Sequence, residues 1–131
     1  MRSAGPKLLL VDDEPLIVSF LCTILQDEGY EVFVASDGGK AIQIANRVAI
    51  DLIITDLVMP ETEGLGVIQY FRKCFPNVQI IAMSGAFEGQ YLRPAKLLGA
   101  HAVLHKPFGT PELLEVVARL LGTKRDDESR L

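Results

Sequence analysis

The run Asp51-Leu52-Ile53-Ile54-Thr55-Asp56-Leu57-Val58-Met59-Pro60 decides how the rest of the chain is read. Asp51 to Thr55 is an apolar stretch of buried-strand length, and it ends on a carboxylate. Asp56 at the mouth of a buried strand is expensive to desolvate unless something there uses its charge. Three other strand-like runs end in the same manner. Leu8-Leu9-Leu10-Val11 runs into Asp12-Asp13, Val78 to Met83 into Ser84-Gly85, and Ala102 to His105 into Lys106-Pro107. If these strands lie parallel in one sheet, three acids, a hydroxyl and an ammonium meet at one edge.

The segments between them read as helices. Glu14-Pro15 opens the first, with Pro at a tolerated first position, and Ile17, Phe20, Leu21, Ile24 and Leu25 give it a buried face up to Gly29. Strand two is Glu31 to Ala35. Ser36-Asp37-Gly38 starts a second helix, with Ala41, Ile42, Ala45 and Val48 inward. A third helix runs from about Glu63 to Phe75, burying Leu65, Ile68, Phe71 and Phe75, and Pro76-Asn77 stops it. After a small-residue loop, Ser84 to Gln90, a short fourth helix is predicted near Tyr91 to Leu98, ended by Gly99. Thr110-Pro111-Glu112 caps a fifth, which carries Leu113, Leu114, Val117, Leu120 and Leu121 to Gly122. A domain of residues 1–122 is then followed by a polar tail or linker start at 123–131.

Strand and helix alternate five times, which implies an α/β fold: a doubly wound (βα)5 parallel sheet between two helical layers. Right-handed crossovers leave few topologies, and strand order 2-1-3-4-5, the flavodoxin-like arrangement, makes strands one and three neighbours. Ligands of such sheets bind outside the carboxyl ends of the strands at the switch point. There Asp12, Asp13 and Asp56 come together, with Ser84 and Lys106 from the next two strands.

The bulk properties narrow the function. A chain of 131 residues is one domain by length, and 49% hydrophobic residues supply a substantial core. Net charge is −4 and no basic run exceeds Lys124-Arg125, which speaks against direct nucleic-acid binding. Cys22 and Cys74 stand far apart in helical patterns, as expected of a reduced, cytoplasmic chain. No apolar stretch reaches the ~18 residues of a membrane span, and Met1 to Pro6 lacks the apolar core of a signal peptide.

Two carboxylates ~4 Å apart repel by roughly 4 kcal/mol at an effective dielectric near 20. Three in one pocket need a compensating cation. Lys106 supplies one charge. A hard divalent ion with oxygen ligands suits the remaining deficit, and Mg²⁺, which keeps several waters, fits an open site. No Cys or His joins the acids, so zinc is disfavoured. A carboxylate beside Mg²⁺ and a Lys, with a hydroxyl opposite, is equipped for phosphoryl transfer. Asp56 is the candidate nucleophile, forming an aspartyl phosphate. Lys106 and the metal neutralise the phosphoryl oxygens, Ser84 hydrogen-bonds one of them, and Gly85 leaves room for backbone N–H groups to approach.

On these residues the chain, over about Lys7 to Leu121, resembles the receiver domain of bacterial response regulators. The matching positions are Asp12-Asp13, Asp56 with Met59-Pro60 and Gly64, Ser84-Gly85, Gly99-Ala100 and Lys106-Pro107-Phe108. The resemblance implies a phosphoacceptor at Asp56 in a two-component or phosphorelay pathway, loaded by a sensor histidine kinase or a histidine phosphotransfer protein. It also implies direct Mg²⁺ ligation by Asp13, Asp56 and the backbone carbonyl of Val58, with Asp12 acting through water. Signal output is then by contact with a downstream protein, and the family allows a homodimer through the edge of the fourth and fifth helices. Slow self-hydrolysis would be the remaining catalytic activity, with apolar Val58 and Ala86 flanking the attacking water.

Three positions depart from the family pattern. Glu63 precedes Gly64 where Asp or Asn is usual, Ser84 replaces the commoner Thr, and Val103 stands where a Tyr or Phe usually rotates. The last departure predicts that switching runs through the Ser84 to Gln90 loop. Competing readings are an Mg²⁺-dependent phosphohydrolase with an Asp nucleophile, a flavin- or nucleotide-binding module, and a phosphorylation-independent interaction module. The first usually spaces its acids two residues apart on one strand and carries a cap domain. The second needs a Gly-, Ser- or Thr-rich phosphate loop where this chain has Asp12-Asp13-Glu14-Pro15. The third leaves the intact site without a purpose. His101 and His105 read as ordinary strand-five histidines, and Phe87, Tyr91 and Phe108 as packing rather than a docking patch.

Overall fold

Leu8, Leu9 and Leu10 of β1 (Lys7–Val11) are all 0% exposed, because β1 lies inside a parallel sheet covered on both faces. The other strands are β2 (Glu31–Ala35), β3 (Leu52–Asp56), β4 (Gln79–Ser84) and β5 (Ala102–His105). Their order is β2-β1-β3-β4-β5, all pairs parallel, as the sequence predicts. The computed structural model describes residues 5–57, 64–85, 96 and 99–129, by backbone alone at 64–65 and 123–129.

Side-chain alternation along the strands splits the core in two. Leu9, Val11, Ile53, Ile80 and Ala82 face α2 (Gly38–Arg47) and α3 (Gly64–Cys74), where Ala41, Val67, Ile68 and Phe71 meet them. Leu8, Leu10, Ile54, Ile81 and Met83 face α1 (Pro15–Asp27) and the C-terminal helix (α4, Thr110–Ser129), where Leu25, Leu113 and Val117 close the layer. The predicted helix near Tyr91 to Leu98 lies outside the described residues, Lys96 excepted.

Local signals explain the helix ends. Asp37 caps α2, its Oδ1 accepting from the Lys40 N–H at 2.9 Å. Gly29 takes φ 96° just after α1 and donates to the Gln26 carbonyl at 2.9 Å, a left-handed position where a Cβ is disfavoured.

Two helical expectations change. Phe20, whose spacing predicts a place on the buried face of α1, is 59% exposed. At 100° per residue it lies about 120° round the helix from the midpoint of Leu21 and Leu25, the two residues that α1 buries. The last helix also passes Gly122 and continues to Ser129. One interior Gly costs roughly 1 kcal/mol, a small deficit for a helix already anchored by Leu113, Val117 and Leu121.

At the amino ends of the strands Asp51 joins three of them. Its Oδ2 accepts from the Lys7 N–H at 2.8 Å, its N–H donates to the Lys7 carbonyl, and its carbonyl accepts from the Gln79 N–H. A hydrogen bond to a charged acceptor is worth about 1.5–3 kcal/mol. Asp51→Ala should therefore lower unfolding stability by about 1.5–3 kcal/mol, read as a reduced urea midpoint at unchanged slope.

Candidate functional site

Parallel register brings the strand ends together. Val11 pairs with Thr55, so Asp12 emerges beside Asp56. Asp56 pairs with Met83, which puts Ser84 one step beyond it on the next strand, and Ser84 pairs with His105, the residue before Lys106. Asp12, Asp13, Asp56, Ser84 and Lys106 thus stand at one edge of the sheet, as the sequence reading required. Val58, named for its carbonyl, lies outside the described residues.

Asp12 is 1% exposed and Asp56 6%, while Asp13 faces solvent. Lys106 spans the two buried acids, its Nζ 3.5 Å from Asp12 Oδ2 and 3.5 Å from Asp56 Oδ2. Burial alone would pull the Lys106 pKa down. The two facing carboxylates outweigh burial and hold it above the ordinary lysine value. Lys106 is therefore a permanent cation here.

Backbone contacts set these side chains. Asp12 Oδ1 accepts from the Glu14 N–H at 3.0 Å, which fixes the carboxylate plane as β1 turns into α1. The Lys106 N–H donates to the Ser84 carbonyl at 2.6 Å and the Leu57 N–H to the Met83 carbonyl at 3.0 Å, so the ladder continues past Asp56 and His105. The Lys106–Pro107 peptide is cis. The Ser84 hydroxyl is fully buried and donates a long 3.4 Å bond to the Gly85 carbonyl.

One contributor escaped the sequence reading. Thr55 is 0% exposed, and its hydroxyl donates to the Asp56 carbonyl at 3.1 Å, supporting the backbone under the acid. Its only sequence signal is a hydroxyl inside an otherwise apolar strand, which also suits ordinary β propensity.

The donor set suits a hard cation. One carboxylate oxygen each from Asp12, Asp13 and Asp56 lies within 4.8 Å of the others. Among the described residues, Asp12 Oδ2 is buried and accepts no hydrogen bond, and the Lys106 ammonium lies 3.5 Å from it. An acceptor in that state is costly unless a cation completes its surroundings. Three carboxylates against one ammonium leave a formal deficit of two charges, the charge of a divalent ion, and an all-oxygen set favours Mg²⁺ or Ca²⁺ over zinc. Among the described residues no helix is long and apolar enough to cross a membrane.

Comparison with known proteins follows the geometry. A family model for the response regulator receiver domain matches residues 8–118. Sporulation initiation phosphotransferase F of Bacillus subtilis is 30% identical over 118 residues, spanning 90% of this chain and 95% of that protein. Sensor kinase CckA of Brucella abortus is 31% identical over 91% of this chain, which spans 13% of that longer relative. Among solved structures, response regulator protein TrrA of Thermotoga maritima, in complex with Mg²⁺-BeF, superposes with TM-score 0.80 at 34% identity, over 88% of this chain and 98% of that one. The chain belongs to the response regulator receiver domain family, the phosphoacceptor domains of two-component signalling.

Proposed function

We propose that this chain takes a phosphoryl group onto Asp56 in an Mg²⁺-dependent reaction and signals by conformational change and protein contact. The observation that carries the proposal is the Lys106 ammonium 3.5 Å from both buried acids, beside a three-carboxylate cluster. An Asp56 oxygen attacks phosphorus of a phosphohistidine, the P–N bond breaks, and its electron pair leaves on the imidazole nitrogen. Lys106 stabilises charge on the phosphoryl oxygens in flight, and Ser84, one register step away, turns its hydroxyl from Gly85 to one of them. Asp13, Asp56 and the Val58 carbonyl would hold the ion directly, and Asp12 would assist through water. The bound ion supplies charge neutralisation and orients the incoming phosphoryl group.

The donor is a sensor histidine kinase or a histidine phosphotransfer protein. The names of two relatives, a phosphotransferase and a sensor kinase, support that class of partner. The output is contact with a downstream protein in the cytoplasm, without direct binding of nucleic acid. Catalysis is confined to the chain's own phosphorylation and its hydrolysis, with no separate substrate turned over.

Acetyl phosphate and Mg²⁺ should produce a shifted band on a phosphate-affinity gel, absent without Mg²⁺ and absent in Asp56→Asn. A band that persists in Asp56→Asn would place the phosphoryl group elsewhere and end this reading. Lys106→Gln should fold and still bind Mg²⁺ but take up phosphate on the order of 10²-fold more slowly, the usual loss for one transition-state donor. Mg²⁺ itself should raise stability, by about 2.7 kcal/mol at a hundred times its Kd, and Asp13→Asn should shift that titration to higher Mg²⁺ by calorimetric or thermal-melt measurement.

A further inference from the structure

At the other end of β4 and β5 from Ser84 and Lys106, a histidine completes the ladder with its side chain. The His101 N–H donates to the Ile80 carbonyl at 2.7 Å, and the Ile80 N–H donates to His101 Nδ1 at 3.0 Å. One residue therefore satisfies both backbone groups of Ile80, which is 0% exposed. We propose that His101 is a proton-operated latch joining the starts of β4 and β5, closed while its imidazole is neutral.

The bond dictates the tautomer. Nδ1 accepts only when the ring is neutral with its proton on Nε2. Protonation puts a hydrogen on Nδ1, pointing at the Ile80 N–H, so the bond is lost and a buried donor is left without its partner. Among the described residues the charged side chain facing the ring is Arg72 of α3. Its stem is folded over the segment before β5, since a Cβ on Gly99 (φ 119°) would run into Arg72 Cγ, Cδ and Nε. Arg72 Nη1 also donates to the Pro76 carbonyl at 3.3 Å. A fixed cation thus stands beside a ring that must stay uncharged.

Both influences point one way: the partial burial of the ring first, then the Arg72 charge, push the His101 pKa below the ordinary histidine value. The unfolded chain therefore binds the proton more readily than the folded one. The contribution of the latch is complete above the unfolded value of about 6.5 and is lost as pH falls through the lower folded value. None of this depends on phosphoryl chemistry at the opposite end of the sheet.

The test is urea unfolding of wild type, His101→Asn and His101→Ala at about pH 7.5 and about pH 5.5. Asn puts a non-titrating amide oxygen near the place of Nδ1, and His105 is present unchanged in all three chains. Between those two pH values the wild-type unfolding constant should rise by up to about tenfold more than that of His101→Asn, the limit for a group of unfolded pKa ~6.5. His101→Ala should be less stable than His101→Asn at the higher pH and show the same shallow dependence. Equal pH dependence in wild type and His101→Asn would overturn the latch. Nitrogen-15 spectra of wild-type histidines need no variant. The latch requires Nδ1 of His101 unprotonated at about pH 7.5 and the Ile80 amide shift moving with the ring titration. A proton on Nδ1 at that pH would overturn it.

Discussion

Two carboxylates, Asp12 and Asp56, are sunk at the end of an apolar sheet with one ammonium between them, and the rest of the site follows from that arrangement. Neither acid tolerates such burial alone. The cation that compensates them cannot come from β1 or β3, whose termini the acids already occupy. It comes from β5, two strands beyond β3, and reaches back across β4. The hydrogen bond from the Lys106 N–H to the Ser84 carbonyl sets where that side chain starts. Changing the strand order would leave the acids without their counterion.

The same arrangement stays short of neutrality. Three carboxylates and one ammonium leave two negative charges, and Asp13 carries one of them at the surface, where an ion is able to enter with part of its water. A site closed by a second Lys would be more stable without metal but would have no use for Mg²⁺. Thr55 and the Glu14 N–H do the quieter work of fixing the acids' backbone and plane. A preorganised cluster of this kind loses less on reorganising when the charge moves.

The sheet was legible in the sequence because its strands are short, apolar and each punctuated by a polar group. Leu8 to Val11 and Ile53-Ile54 announce two-sided burial, and the acids at their ends announce the edge. The site followed from topology, since order 2-1-3-4-5 brings the four strand ends together. What was missed was finer than residue type. Phe20 has the spacing of a helical face, but the face is centred on Leu21 and Leu25, and a pattern of five apolar residues in nine does not say which is its margin. Gly122 reads as a stop, yet a stop signal competes with the packing that precedes it, and packing prevailed. His101 was ordinary in sequence because its significance is a hydrogen bond to Ile80, twenty-one residues away and on another strand.

Val103 bears on how a change at Asp56 is carried outward. It is half-buried, opposite Ala82 and packed into the cluster under α2 and α3. A β-branched side chain so placed has a restricted χ1 and no ring to swing. On the proposed function, phosphorylation would replace the single charge of Asp56 with about two on the phosphoryl group and leave a metal-loaded site near one net negative charge. That charge would lie beside the end of β4, where the Ser84 hydroxyl donates a 3.4 Å bond to the Gly85 carbonyl. A rotating ring at Val103 of β5 is therefore not available to carry such a change outward from this site.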